Sequence, residues 1–321
     1  MTVDIHTPTD FFEYTAGLLP RADPKRIDVA VLDMNHSWPN IGHDSIVHAI
    51  QEAAEHHRPR LVAAGLKVRA ISFDVRRKLQ MPATPNGQFA LYVGTGGPGH
   101  LDPRLNDGVA PWSQETRDDP AWEAPLFRLF DAVLGNPRAA MVGVCHSFGL
   151  LCRWSGAARA ALRERKSAGL QTNVLSPQGI EHPWFSRFAA ELPDQTHFQV
   201  IDNRLFDLVL EDAAALTPLG FEDESSDVMT MAEFARDAES GMPRVLGVNH
   251  HPEIIDREHL LQVLNEKRER GEVSDAWYEE RWRTLEKEMR GERETQSRLT
   301  SYDTLLAPIR FHIGRLLDER C

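Results

Sequence analysis

Cysteine is scarce in this chain of 321 residues: there are three, an odd number, at positions 145, 152 and 321. Such a set offers no disulfide framework, and the setting expected is a reducing, cytoplasmic one. The opening stretch MTVDIHTPTDFFEY has neither a basic start nor an apolar run, so no secretory signal is expected. No apolar run approaches the ~20 residues that a membrane helix requires. Positive charge is also short, with 36 Lys and Arg against 48 Asp and Glu and a formal net charge of −12. That balance argues against a nucleic-acid partner held through its phosphates and against an anionic lipid surface. His48, His56 and His57 lack the cysteine or carboxylate that would complete a zinc spacing, so no metal site is expected. No P-loop, ATP-grasp or Rossmann pattern occurs, and no organic cofactor is called for.

What the chain does have is a series of short buried-strand patterns separated by helical ones. Ile27–Leu32, Leu66–Phe73, Phe89–Val93, Ala139–Val144 and the run from Val245 are apolar and bounded by loops. Helical periodicity fills about 44–64, 122–134 and the stretch after Cys145. The alternation predicts an α/β fold, a doubly wound, flavodoxin-like parallel sheet with helices on both faces and its site at the strands' carboxyl ends. Weaker strands are expected at 170–175, 197–200 and 209–210, an acidic, helix-prone insertion at 223–242, and a surface lead-in over 1–25. Beyond residue 256 the pattern is helical. Tyr278, Trp282, Leu285 and Met289 form one apolar stripe, and Leu305, Ile309, Ile313 and Leu316 another. The division expected is therefore a lead-in (1–25), a catalytic domain (26–256) and a helical extension (257–321) acting as a cap or as a homo-oligomer surface.

Three stretches carry chemistry. In Arg138–Leu151, RAAMVGVCHSFGLL, a buried strand stops at Cys145 just before a helix. A sharp strand-to-helix turn would push the thiol out of the sheet edge, with Gly143 and Ser147 giving room, and the helix would aim its N–H groups and dipole at the sulfur. In VLGVNHHPE, His251 and Glu253 lie two apart around Pro252. Residues i and i+2 of an extended segment face the same way, so the carboxylate can hold one imidazole nitrogen and leave the other for a thiol proton. By the same alternation His250 faces away. In FALYVGTGGPGHLDP a strand runs into Gly94, Gly96, Gly97 and Gly99, whose bare backbone can approach an oxyanion. Asp33, Asn35 and His36 are candidates for the pocket edge, and Cys152 reads as a buried apolar residue.

In this order, TGGPG at 95–99, GVC at 143–145 and GVNHHPE at 247–253 resemble the class I glutamine amidotransferases. The resemblance covers roughly residues 26–256 and implies a Cys145, His251, Glu253 triad, and the His-Pro-aromatic stretch at 182–184, similar to one in the family, makes His182 a candidate for the pocket edge. The oxyanion and substrate contacts it implies lie at Gly96, Gly97 and His146, with the Gly97 and His146 N–H groups as donors. It further implies thiol-dependent amide hydrolysis, the glutaminase half-reaction, on a small-molecule amide, without metal or cofactor. Any synthase that receives ammonia would then be a separate chain. The chain departs from the family after its cysteine. Where the family has x-Gly-His-Gln, this sequence has His146, Ser147, Phe148 and Gly149, so no side chain stands where the glutamine-holding Gln would be. Two rival readings use the same residues: acyl transfer of the homoserine O-succinyltransferase type, and a non-catalytic binding or regulatory relative.

Overall fold

The structure is a computed structural model and describes residues 8–17, 19–38, 41–85 and 87–320. Its strands are β1 (Phe12–Ala16), β2 (Arg26–Asp33), β3 (Lys67–Asp74), β4 (Phe89–Gly94), β5 (Ala140–Val144), β6 (Ala158–Leu175), β7 (His197–Leu210), β8 (Thr217–Glu222), β9 (Met229–Arg236) and β10 (Pro243–Val248). Its α-helices are α1 (Gly42–His56), α2 (Arg58–Ala64), α3 (Val75–Lys78), α4 (Glu123–Gly135), α5 (His146–Ser155), α6 (Pro177–Ile180) and α7 (Phe185–Glu191). In the C-terminal part these continue as α8 (Arg257–Glu269), α9 (Asp275–Arg283), α10 (Glu292–Ser301) and α11 (Ala307–Asp318). The strands form one sheet in the order β1-β3-β2-β4-β5-β10-β9-β8-β6-β7. From β1 to β10 neighbouring strands are parallel, and from β10 to β7 they are antiparallel.

The continuous apolar sequence of β2 follows from burial on both faces. Successive side chains of a strand point to opposite sides. Val29 and Val31 pack with Ile46 and Ile50 of α1 and with Ile309 and Ile313 of α11. Ala30 and Leu32 meet Leu126 and Phe130 of α4 and Leu150 of α5 on the other face. Each large aliphatic side chain buried this way stabilises the fold by about 2 kcal/mol relative to exposure. The result is an α/β fold of helix, sheet and helix layers with a C-terminal helical extension. No helix among the described residues is long and apolar enough to cross a membrane.

Several local expectations give way. Phe12–Ala16, expected in the surface lead-in, pairs in parallel with β3 as the edge of the sheet, anchored by Phe12, which is fully buried. The helix expected over 44–64 breaks at His57, because Pro59 can occupy only the first turn of the helix that follows. The 223–242 stretch holds β9 rather than a helix: Met229, Met231 and Ala232 are buried between β8 and β10, and this packing outweighs the acidic composition around them. The 18 residues of β6 far exceed the expected 170–175. Much of its polar ARAALRERK half is exposed, so it lacks the apolar signature of a core strand, and pairing with β7 supplies its order. Residues 1–7 of the expected lead-in and Cys321 lie outside the described residues.

Candidate active site

The parallel register places three loops at one edge of the sheet. Gly94 of β4 pairs with Gly143 of β5, and Val144 of β5 with Val248 of β10. The glycine-rich loop, the cysteine and the His-Pro-Glu segment therefore leave the carboxyl ends of adjacent strands, where open α/β sheets hold ligands. Cys145 has φ +48° and ψ −103°. A non-glycine residue there stores roughly 1–3 kcal/mol of strain, and the surrounding structure must impose it. The Cys145 N–H donates to the Val248 carbonyl at 2.7 Å, and its carbonyl accepts from the Gly149 N–H at 2.9 Å as the first bond of α5. Ser147 Oγ donates to the Thr95 carbonyl at 2.7 Å, passing so close to Gly94 that a Cβ there would stand 2.4 Å from the hydroxyl.

His251 and Glu253 meet as a pair, with the imidazole Nδ1 2.8 Å from Glu253 Oε1. The remaining nitrogen, Nε2, is buried without a protein hydrogen-bond partner. A Cβ added at Gly96 would lie 3.0 Å from His251 Cε1 and 3.5 Å from Cys145 Cβ. Thiol and imidazole thus converge over one stretch of bare backbone. Burial disfavours the charged ring, but the Glu253 carboxylate and the Cys145 sulfur outweigh it and hold the imidazole well above its ordinary value. His250 points away, into a buried contact with Thr304 Oγ1 at 3.3 Å, and burial drives it down to about 3.

Gly96, Gly97 and His146 all line the cavity of about 180 Å³ that contains Cys145 and His251. Only glycine fits at 97, where a Cβ would stand 2.3 Å from the Met34 carbonyl oxygen. His146 opens α5, so its backbone N–H belongs to the helix's unsatisfied first turn. The His146 ring is buried, and that burial, with Arg76 and His100 nearby, keeps it well below its ordinary value and neutral. Of the other candidates, Asn35 lines the cavity, and Asp33 accepts the Asn35 backbone and side-chain N–H groups. His36 stands 3.6 Å from Asp118. His182 is elsewhere: its Nδ1 accepts from the Trp184 and Phe185 N–H groups at 3.0 and 3.3 Å and its Nε2 meets Glu233 at 3.1 Å, a structural role that the sequence reading did not assign. His48 stacks on His259, and His57 bonds the Arg310 carbonyl, so the three α1-region histidines do not converge on one point.

The sequence reading missed three contributors. Arg76, fully buried, donates to the Met34 and Pro98 carbonyls at 3.0 and 2.6 Å and pairs with Asp118 at 2.7 Å, bracing the glycine loop from beneath. Leu101 fills the space above Gly149, where a Cβ would meet both leucine methyls at 2.6 Å. The third contributor is the C-terminal extension. Trp277, Glu280, Arg281 and Leu285 line the same cavity, seated on a small core that joins Ile201, Ile254, Tyr278 and Met289. No local sequence signal links any of these to the cysteine.

No family model matches the sequence, and no curated protein matches it. Among solved structures, the fold is similar to a glutamine amidotransferase from Thermotoga maritima at 12% identity, covering 88% of this chain and 98% of that one with a TM-score of 0.51. It is also similar to a glutamine amido transferase from Methylobacillus flagellatus at 12% identity, covering 89% and 95% with a TM-score of 0.53. At such identity the likeness is one of fold: this chain has the α/β architecture on which those amidotransferases are built.

Proposed function

We propose that this chain cleaves amides through a Cys145 thioester, in the manner of the glutaminase half-reaction of a glutamine amidotransferase. The observation that carries this reading is the strained Cys145, held against a His251–Glu253 pair at the carboxyl edge of the sheet. The names of the two structural neighbours support the same reaction class.

The proton given up by the thiol rests on His251, where Glu253 and the sulfur favour it. The sulfur attacks the carboxamide carbon; a C–S bond forms and the carbonyl electrons move to oxygen, toward backbone N–H groups at Gly97 and His146. As that pair returns, the C–N bond breaks and the departing nitrogen takes the His251 proton, so ammonia leaves. Water then gives a proton to His251 and attacks the thioester carbon, the C–S bond breaks, and the acid is released. Ammonia passes to solvent or to a separate synthase chain.

Incubation with a panel of primary amides tests the reading. The expected result is ammonia release together with a mass increase, equal to the acyl group, localised to Cys145. Turnover with acylation at Cys152 or at no cysteine would exclude it.

A further inference from the structure

The charges around the cavity answer one another. Arg204 lies 3.3 and 3.5 Å from Asp202 and Asp207 and donates to Glu222 at 2.7 Å, and Arg163 reaches the same Asp207 and Glu222. Lys166 Nζ donates to Glu280 Oε1 at 3.0 Å, and Arg281 NH1 meets that oxygen at 3.4 Å while its guanidinium stacks on Trp277. The cations Arg163, Lys166, Arg204 and Arg281 thus stand against the carboxylates of Asp202, Asp207, Glu222 and Glu280, one for one, and Glu253 holds His251. A ligand with a charged far end finds no uncompensated partner among the described residues, and seating it costs the desolvation of that charge. Asn203 Oδ1, Asn249 Nδ2 and His146 Nε2, buried in the lining without a hydrogen-bond partner, belong to neutral side chains, so none of them calls for an ion.

What the lining offers instead is hydrocarbon. Leu101 closes over Gly149, whose N–H bonds the Cys145 carbonyl, and Ile201, Phe206, Leu208, Trp277 and Leu285 line the same cavity. Phe206 sets its ring edge-on to His100, 4.8 Å between centroids. Phe206 and Trp277 are only half-buried, so a ligand that covers them gains by removing apolar surface from water. A dry apolar cavity of about 150 Å³ holds one benzene ring, so the cavity of about 180 Å³ matches a chain of about seven carbons. We infer that the amide cleaved at Cys145 carries an uncharged, apolar acyl group of about that size, seated on Phe206 and Trp277. The inference rests on the amidase reading for the bond that breaks, but the apolar seat can be measured without turnover.

The test compares two primary amides of one shape: 5-methylhexanamide ends in an isopropyl group, and glutaramate has a carboxylate in its place. Ammonia release by the wild-type full chain should favour 5-methylhexanamide by about thirtyfold in kcat/KM, the value of the extra apolar surface buried. Phe206→Ala should lower kcat/KM for 5-methylhexanamide about tenfold through KM and leave that for glutaramate within about twofold. Phe206→Leu should keep most of the preference, since the position stays apolar. Without turnover, 5-methylhexanamide should raise the melting temperature of Cys145→Ala at concentrations where glutaramate does not, and adding Phe206→Ala should shrink that rise. An equal or reversed preference in wild type, or equal losses for both amides in Phe206→Ala, would overturn the proposal. If wild type cleaves neither amide, the amidase reading fails and the melting shifts of Cys145→Ala decide alone. A shift with 5-methylhexanamide only then upholds the apolar seat, and equal shifts or none overturn it.

Discussion

The contact between Leu101 and Gly149 is a sharp place to test how the site is packed. Gly149 is the fourth residue of α5, and Leu101, at 6% exposure, reaches over it from the end of the glycine-rich loop. In an open helix Gly→Ala stabilises by about 1 kcal/mol. Here the new Cβ would stand 2.6 Å from both Leu101 methyls and 3.2 Å from Cγ, and Leu101 is itself packed with Phe148, Leu208 and Met229. Overpacking of that kind costs about 1–3 kcal/mol. Gly149→Ala should therefore come out about 1 kcal/mol less stable than wild type. Leu101→Ala alone should cost about 2–5 kcal/mol for the cavity it leaves. In that background, however, Gly149→Ala should become stabilising by about 1 kcal/mol, a coupling of about 2 kcal/mol between the two positions. Urea unfolding of the four proteins measures it. The same logic governs substrate choice: Gly149→Gln alone should not improve hydrolysis of free glutamine. Gly149→Gln with Leu101→Ala should raise kcat/KM about fivefold, the value of one recovered hydrogen bond. An Ala at 149 that stabilises equally in both backgrounds would refute the packing argument. An improvement by Gly149→Gln alone would refute its extension to substrate.

Removal of the proposed nucleophile should be cleanly functional: Cys145→Ala should lose on the order of 10⁴-fold or more in turnover while its urea midpoint stays near that of wild type. His251→Ala should lower kcat far more than His250→Ala, measured by steady-state ammonia release. Equal losses would mean that the buried contact of His250 with Thr304 carries more of the site than its direction suggests. The raised His251 value makes stability pH-dependent. Its contribution is whole below the imidazole's ordinary 6.5 and declines as pH rises through the higher folded value. The melting-temperature gap between wild type and His251→Gln should thus narrow on the alkaline side, and a gap that widens with pH would contradict the pairing with Glu253 and Cys145.

The elements that can be read from the sequence are those whose signal is local. β2, β4 and β5 are apolar because both of their faces are buried, and a continuous apolar run between loops carries that information in a few residues. The same holds for GVC and HHPE: a cysteine at a strand end and an i, i+2 pair around proline report their geometry within five residues. β9 and the outer half of β6 are different. Their strand state comes from partners, Met231 against Gly220 and Val248, and Ala158–Leu162 against Phe206–Leu210, so composition alone favours another assignment.

The residues that brace and wall the cavity beyond the three motifs come from elements distant in sequence, and this has a physical reason. A nucleophile elbow needs small residues close in sequence, because the backbone itself makes the turn. A specificity wall needs only that some side chain fill a volume, and any element that passes nearby can supply it. Leu101 comes from the loop after β4, Arg76 from α3, and Arg281 from a helix beyond the sheet. Gly169 shows how such an element is fitted. At φ +88° a side chain would be strained, and a Cβ would stand 2.4 Å from Glu288 Oε2, the atom that accepts the Leu170 N–H at 3.0 Å. The absent side chain lets a π-helical turn, Thr284–Glu288, dock on β6 and bring Arg281 over the cavity. A glycine in the middle of a strand looks like a weakness when read along the chain. Here it is the opening through which the C-terminal helices reach the cavity that holds Cys145.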